Sequence, residues 1–344
     1  MENKVNEKST PLKISEVRQL LKGHKREQLE YVACELYKML NKSQKLEKNV
    51  DSLLRKPGSF EKKAQTKQAK GIRPFDEIEM ETESFIANAY EQNYLVPNRS
   101  VSKKDRPKWR FLVKKVFKEL KSYMKQPEYQ AEVAELLEKL YGVLCYSCAY
   151  QLFTAYDTFE STGIEQTEFF DTVLKAVEEV TDKPAFIEKG IDLLLNNELN
   201  RYTLRSGLMD VFIRHLETTD MKYLLIEKCK AKREAVIKKG PDKKSWSGNY
   251  KHTENLNNLT ELVFRSYAGL YEIKNAIGYY KEFYIGKEPE VILYILASLL
   301  MQFSEKDAIL YELQEAEKQN IKLRPTLVSL KDFITEHDDL PKHL

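Results

Sequence analysis

Apolar residues along most of this chain recur every three or four positions, with charged residues between them. That spacing places the apolar side chains on one face of a helix. It predicts helices over residues 75–93, 107–125, 128–157, 166–181, 184–199, 202–217, 219–239, 254–269, 270–284, 289–303, 305–320 and 326–336. No stretch alternates β-branched and polar residues long enough to predict a strand. We therefore expect an all-α protein, built as an irregular helical bundle or superhelix.

From about residue 166 the predicted helices form pairs, in units of about 31 to 38 residues, which is the period range of bihelical repeats. Within residues 262–284, aromatic residues alternate with small ones such as Ala268 and Ala276, which let neighbouring helices approach closely. This packing is similar to that of tetratricopeptide (TPR) and HEAT arrays, although no unit matches either consensus. The C-terminal half is therefore predicted to stack helix pairs and to present one extended face.

The remaining sequence predicts a simple domain organisation. Residues 1–13 are polar and are expected to be disordered, and residues 14–56 predict a small segment of short helices. Residues 57–74 form a basic linker bounded by prolines. The helical body then spans residues 75–336, and residues 337–344 form a polar tail. Within the body, residues 141–156 carry no charge and predict a buried central helix.

The N-terminal helices show one family resemblance. A short apolar helix around Leu20 is followed by Gly23, a basic turn at Lys25 and Arg26, and a second helix from Leu29. This arrangement resembles the two-helix SAP module, and that resemblance implies DNA binding by this part of the chain.

Charge is distributed unevenly along the sequence. The net charge is only +3, but residues 42–73, 99–125 and 228–251 carry formal charges of +7, +9 and +7. Because electric fields act through local charge, these three segments are candidate surfaces for an acidic partner. Both tryptophans, Trp109 and Trp246, lie within them. Trp109 falls on the apolar stripe of its helix and is expected in the core, whereas Trp246 lies in a polar loop and is a candidate contact residue.

The composition also limits the cellular setting. The N-terminus lacks the apolar segment of a secretory signal, and the longest apolar run, residues 291–301, is too short to cross a bilayer. The four scattered cysteines do not suggest a disulfide framework. We therefore expect a cytoplasmic protein without membrane association.

Catalytic motifs are missing from the sequence. It contains no phosphate-binding loop, no dinucleotide fingerprint, no zinc-protease helix and no nucleophile elbow, and its five histidines lie far apart. The sequence contains one C-x-x-C, Cys145 to Cys148. It can be interpreted as half of a zinc site or as a redox pair. We favour the alternative that both cysteines are core residues of an apolar helix. We expect no cofactor and no metal, and we leave enzymatic activity open while favouring its absence.

Two functions fit these patterns. The first is a non-enzymatic scaffold that presents a helical surface to a protein or peptide partner. The alternative is an RNA- or DNA-binding protein that uses the basic segments 42–73, 99–125 and 228–251. The candidate contact residues for either partner are Lys103, Lys104, Arg106, Lys108, Arg110, Lys239, Lys243, Lys244, Trp246 and Tyr250. The sequence leaves the identity of the partner and the oligomeric state open.

Overall fold

The computed structural model describes residues 14–41, 45, 50–55, 73–243 and 247–341. The chain divides into two compact units, Met1–Gly71 and Ile72–Leu344. The expected disordered N-terminus, most of the basic linker and the last three residues of the tail lie outside the described residues. Within the described ranges every regular element is helical, which confirms the predicted all-α class.

The first unit contains α1 (Ile14–Lys22), α2 (Arg26–Met39) and α3 (Val50–Arg55). The hydroxyl of Tyr37 in α2 donates a hydrogen bond of 2.7 Å to Asp51 in α3. No residue of α2 is buried, and Leu36 and Met39 both expose most of their side chains. The described part of this unit therefore contains helices that expose much of their apolar surface.

The second unit is a longer series of helices. They are α4 (Phe75–Tyr90), α5 (Trp109–Tyr123), α6 (Gln130–Ala149), α7 (Thr158–Thr162), α8 (Gln166–Glu178), α9 (Lys183–Asn196), α10 (Arg205–Arg214), α11 (Thr219–Lys239), α12 (Gly248–Ala268), α13 (Ile273–Phe283), α14 (Pro289–Gln302), α15 (Lys306–Lys318) and α16 (Pro325–His337). Short 3-10 turns at Arg106–Lys108 and Pro127–Tyr129 lead into α5 and α6.

The core of the second unit has two parts. The larger part runs from Phe75 to Val263 and includes the buried residues of α6, among them Leu137, Leu140 and Tyr141. The smaller part runs from Phe264 to Ile334. Tyr267 packs against both parts, so the apolar interior is continuous through α12.

Helices α8 to α12 pack in a regular order. Each of α8 and α9 contacts both the next helix and the next but one, and α10 contacts α12. Such stacking is typical of arrays in which successive pairs bury a shared core. The comparison with TPR and HEAT arrays stays a prediction, because this order of contacts does not distinguish repeat types.

One predicted helix ends early. The sequence pattern predicts a helix over residues 128–157, but α6 ends at Ala149 and the chain turns at Tyr150. Phe153 is drawn into the core, where its ring lies 4.1 Å from the ring of Trp109 and 5.9 Å from that of Phe85. Asp157 then caps α7 by accepting a hydrogen bond from the Glu160 amide. Tertiary packing of Phe153 therefore overrides the local helical pattern.

Candidate binding cleft

An open cleft of about 1030 Å³ lies where the C-terminal ends of α6, α9 and α11 meet the first turns of α12. It contains Lys239 and Tyr250, two of the residues predicted as contacts, and we call it the tyrosine cleft. Its lining consists of Tyr150, Asp192, Leu195, Asn196, Glu198, Leu199, Arg205, Lys232, Ala235, Val236, Lys239, Gly240, Pro241, Asp242, Ser247, Gly248, Tyr250, Lys251, His252, Glu254 and Asn255.

The charges of this lining balance. Lys232 Nζ lies 2.6 Å from Asp192 Oδ1. Lys251 Nζ lies 2.8 Å from Glu198 Oε1. The full set is Asp192, Glu198, Asp242 and Glu254 against Arg205, Lys232, Lys239 and Lys251. A lining without net charge exerts little long-range attraction on a polyanion.

Arg205 fixes one wall of the cleft. Its Nη1 donates to the carbonyl oxygens of Leu194 and Asn197, at 2.5 and 2.8 Å. These are carbonyls at the C-terminal end of α9, which have no partner within their own helix. Because Arg205 is the first residue of α10, these hydrogen bonds tie the start of α10 to the end of α9.

The turn between α11 and α12 closes another side of the cleft and depends on glycine. Gly240 follows α11 with a φ of 68°, a conformation that glycine adopts without strain. At Gly248 a Cβ atom would lie 2.0 Å from the carbonyl oxygen of Asp242. Because that obstacle is backbone, only glycine allows α12 to begin this close to the preceding turn.

Tyr150, which lines the cleft, contacts a second exposed tyrosine, Tyr146, which in turn contacts a third, Tyr90. We call Tyr90, Tyr146 and Tyr150 the tyrosine rim. The ring of Tyr146 lies 4.4 Å from that of Tyr150, stacked, and 5.5 Å from that of Tyr90, edge to face. Their exposed fractions are 50% for Tyr90, 39% for Tyr146 and 54% for Tyr150. Burial raises the pKa of Tyr90, so its hydroxyl stays neutral at physiological pH. The rim therefore offers uncharged ring faces held in place before any partner arrives.

The structure places the predicted contact residues in two separate groups. Lys239 and Tyr250 line the tyrosine cleft. Lys243 is exposed in the adjoining turn, and Lys244 and Trp246 lie outside the described residues.

The other predicted contacts surround the start of α5. Lys103 and Lys104 are exposed in the loop before it. Lys108 pairs with Asp105 at 2.8 Å, and Arg110 lies over the ring of Phe111. Arg106 donates to the carbonyl oxygens of Val101 and Asn98, so its guanidinium stabilises the conformation of this loop.

Sequence reasoning missed the tyrosine rim. The uncharged stretch 141–156 predicts a buried central helix, and Tyr141 is indeed buried. Tyr146 and Tyr150 of the same stretch nevertheless reach solvent. The high number of tyrosines in this stretch could have indicated exposure, because the tyrosine hydroxyl favours a half-exposed position.

Cys145 and Cys148 occupy the C-terminal part of α6. Cys145 is fully buried and burial raises its pKa, while burial raises the pKa of Cys148 to about 12. Both sulfurs are therefore protonated thiols at neutral pH, and a thiol is a poor nucleophile and metal ligand. Among the residues that the structure describes, no group of three or more histidine, cysteine or acidic side chains could hold a metal ion.

No protein-family model matches the chain, and no similar curated protein or solved structure was found. The resemblance of residues 14–40 to the SAP module therefore stays a prediction. Within the described ranges, no helix combines the length and the apolar character needed to cross a membrane.

Proposed function

We propose that this chain is a binding protein that holds an extended segment of a partner protein in the tyrosine cleft. The observation that carries the proposal is the tyrosine rim, a series of three exposed rings in contact that begins at Tyr150 in the lining of a cleft without net charge. Exposed aromatic residues in a cluster are characteristic of interfaces, where tyrosine is enriched.

The arrangement also favours binding on entropic grounds. Tyrosine side chains have few rotatable bonds, so they contribute large contact areas at a small loss of conformational entropy. In the tyrosine rim this loss is smaller still, because Tyr146 is already held between Tyr90 and Tyr150. Rigid surfaces of this kind gain affinity because little ordering remains to occur on binding.

The charges in the cleft suit a polypeptide better than a nucleic acid. The wall carries both lysines and carboxylates, so a bound segment meets groups of both signs. A phosphate backbone would lie against Asp192, Glu198 and Glu254 as closely as against the lysines. Electrostatic complementarity of both signs is a feature of protein–protein recognition.

Much of the basic segment 228–251 also serves internal contacts. Lys228 Nζ lies 2.5 Å from Glu188 Oε1 in α9, in the same way that Lys232 pairs with Asp192. Lys230 lies over the ring of Tyr267, and Arg233 lies over that of Phe283. These cations stabilise the fold, so the formal charge of the segment overstates what is available to a polyanion.

A displayed library of random peptides, selected against the full chain, tests the proposal. Peptides enriched on the native chain should lose affinity by about tenfold or more, which is about 1.4 kcal/mol, when Tyr150→Ala or Tyr250→Ala removes one ring of the cleft. Tyr311→Ala is the matched control, since Tyr311 is equally exposed but lies in α15. Failure to enrich any peptide, or equal loss with the control, would refute the proposal.

A further inference from the structure

Helix α5 and the turn after it carry a row of cations that form no ion pair with any residue that the structure describes. Arg110, Lys114 and Lys118 recur at intervals of four residues, which places them on one face of the helix, and Lys125 follows two residues beyond its end. We call these four residues the basic stripe. All four are exposed, and the three helical members span about 12 Å along the helix axis. The opposite face, with Val113 and Leu120, is buried in the core.

Nearby acids do not neutralise the basic stripe. The carboxylates near α5 bind other cations: Glu81 pairs with Lys115, Glu119 with Arg73, and Asp105 with Lys108. Lys121, which lies between two members of the stripe, reaches Glu168 at 3.6 Å. Within the described residues, no member of the stripe has a carboxylate at ion-pair distance. The like charges of Arg110, Lys114 and Lys118, each four residues from the next, therefore repel each other along the helix.

An exposed ring stands at the head of the basic stripe. Phe111 is 59% exposed, and the Arg110 guanidinium lies 4.9 Å from its centroid. A phenylalanine that leaves more than half of its surface exposed gains little hydrophobic free energy from folding. A ring beside a row of cations is the arrangement with which proteins bind single strands, because the rings stack on bases while the cations follow the phosphates.

The loop before α5 extends this surface in a fixed conformation. Arg106 donates to the carbonyl oxygens of Val101 and Asn98, and the Asn98 side chain accepts from the Val101 amide at 2.7 Å. Lys103 and Lys104 are exposed on this loop. Their positive charges are thus presented at the same end of α5 as Phe111.

We infer that the basic stripe, together with Phe111, Lys103 and Lys104, binds single-stranded nucleic acid. Charge complementarity selects a polyanion, and the exposed ring selects one with unpaired bases. An anionic membrane is the less suitable partner, because a helix that lies on a membrane turns its apolar face outward. In α5 that face is buried. This surface is separate from the tyrosine cleft, and the inference does not depend on the proposed function.

Fluorescence anisotropy with labelled single-stranded oligonucleotides of thymidine and of uridine tests the inference. The full chain should bind at low salt, and its affinity should fall steeply as salt rises, with a slope of roughly 0.7 per neutralised phosphate. The triple variant Lys114→Gln, Lys118→Gln, Lys125→Gln should weaken binding and flatten that slope. Phe111→Ala should weaken binding by between about fivefold and a hundredfold, the loss of one stacked base, at an unchanged slope.

A second triple variant controls for net charge. Lys274→Gln, Lys287→Gln and Lys322→Gln removes the same charge from exposed positions elsewhere in the second unit. It should retain native affinity, and unfolding curves should show that both triple variants are folded. Three results would overturn the inference: no binding of either oligonucleotide at low salt, equal loss in the two triple variants, or binding of anionic vesicles without binding of oligonucleotides. Tyr150→Ala should leave oligonucleotide binding unchanged, which separates this surface from the cleft.

Discussion

Gly190 of α9 lies directly beneath the ring of Phe212 in α10, and a Cβ atom at position 190 would lie 2.2 Å from Cε2 of that ring. Phe212 is fully buried and cannot move aside without disturbing its neighbours. We expect Gly190→Ala to lower the free energy of unfolding by about 1–3 kcal/mol, the usual cost of overpacking. Urea denaturation measures the loss.

The control for this prediction is Gly142→Ala in α6. A Cβ atom there would have no atom of another element within 4 Å. Because alanine has less freedom than glycine in the unfolded chain, this variant should gain about 0.4–1 kcal/mol. If Gly142→Ala destabilised the protein as much as Gly190→Ala, close packing would not be the cause.

Arg265 is the most deeply buried charge described, with 2% of its side chain exposed. Its Nη1 lies 2.6 Å from Asp210 in α10, and its Nη2 lies 2.7 Å from Glu261. Arg265→Met would leave Glu261 without its partner, and we expect a loss of about 3–5 kcal/mol in urea denaturation. Arg265→Lys should recover only part of the stability that Arg265→Met loses, because lysine lacks the forked donor group of arginine.

A surface pair provides the comparison. Arg324 binds Glu290 with both Nε and Nη2, but Arg324 is partly exposed to solvent. Arg324→Met should cost no more than about 1 kcal/mol. Equal losses for Arg265→Met and Arg324→Met would show that burial does not decide the contribution of these arginines.

Stability should decrease in acid partly through Glu81. Burial alone would raise the pKa of Glu81, but hydrogen bonds from Lys115 and Arg73 outweigh it and hold the pKa below its ordinary value of 4.5. The ionised carboxyl therefore favours the folded state above about pH 4.5, and this contribution is lost as the pH falls through the lowered pKa. The stability difference between the native chain and Glu81→Gln should accordingly shrink below pH 4.5.

Urea midpoints measured from neutral to acidic pH check the Glu81 prediction. Glu83→Gln is the matched control, since Glu83 lies 3.6 Å from Lys139 and is more exposed than Glu81. At neutral pH, Glu83→Gln should lower the free energy of unfolding by less than Glu81→Gln does. Parallel curves for the native chain and Glu81→Gln would contradict the role assigned to Glu81.

The four thiols should react at different rates with a disulfide reagent. Cys34 is exposed, whereas Cys145 and Cys229 are fully buried and burial raises the pKa of both. We expect Cys34 to react first, and Cys145 and Cys229 to react only on unfolding. Cys34→Ser should abolish the fast phase seen in native buffer, and persistence of that phase would show that Cys148 is more reactive than its pKa of about 12 implies.

The helices were largely predictable because each has its own local pattern. The predicted helix 219–239 matches α11, and the Thr218 side chain caps it by accepting from the Met221 amide. The predicted start of the next helix at residue 254 is later than the observed start at Gly248. The first turns of α12 are polar, so apolar periodicity gave no signal there. The end of α6 was missed for a different reason, since the position of Phe153 depends on Trp109 and Phe85.

The candidate surfaces were only partly predictable. The charge runs identified the basic helices, but they could not identify which cations are paired. Glu188 and Asp192 lie 40 residues before their partners Lys228 and Lys232, so nothing near α11 in the sequence reveals these ion pairs. In α5, by contrast, the cations of the basic stripe stay without ion pairs among the described residues, because the nearby carboxylates bind other cations.

The cations of α11 contact helices that precede it in the sequence and helices that follow it. Lys228 and Lys232 bond back to α9, while Lys230 and Arg233 lie over rings that belong to α12 and α13. The polar turn after residue 239 is an obvious place to divide the second unit into separately expressed fragments. In a fragment that ended there, α11 would keep its ion pairs with α9 but lose the aromatic rings of α12 and α13 that Lys230 and Arg233 contact. One side of α11 would therefore be left without its packing partners.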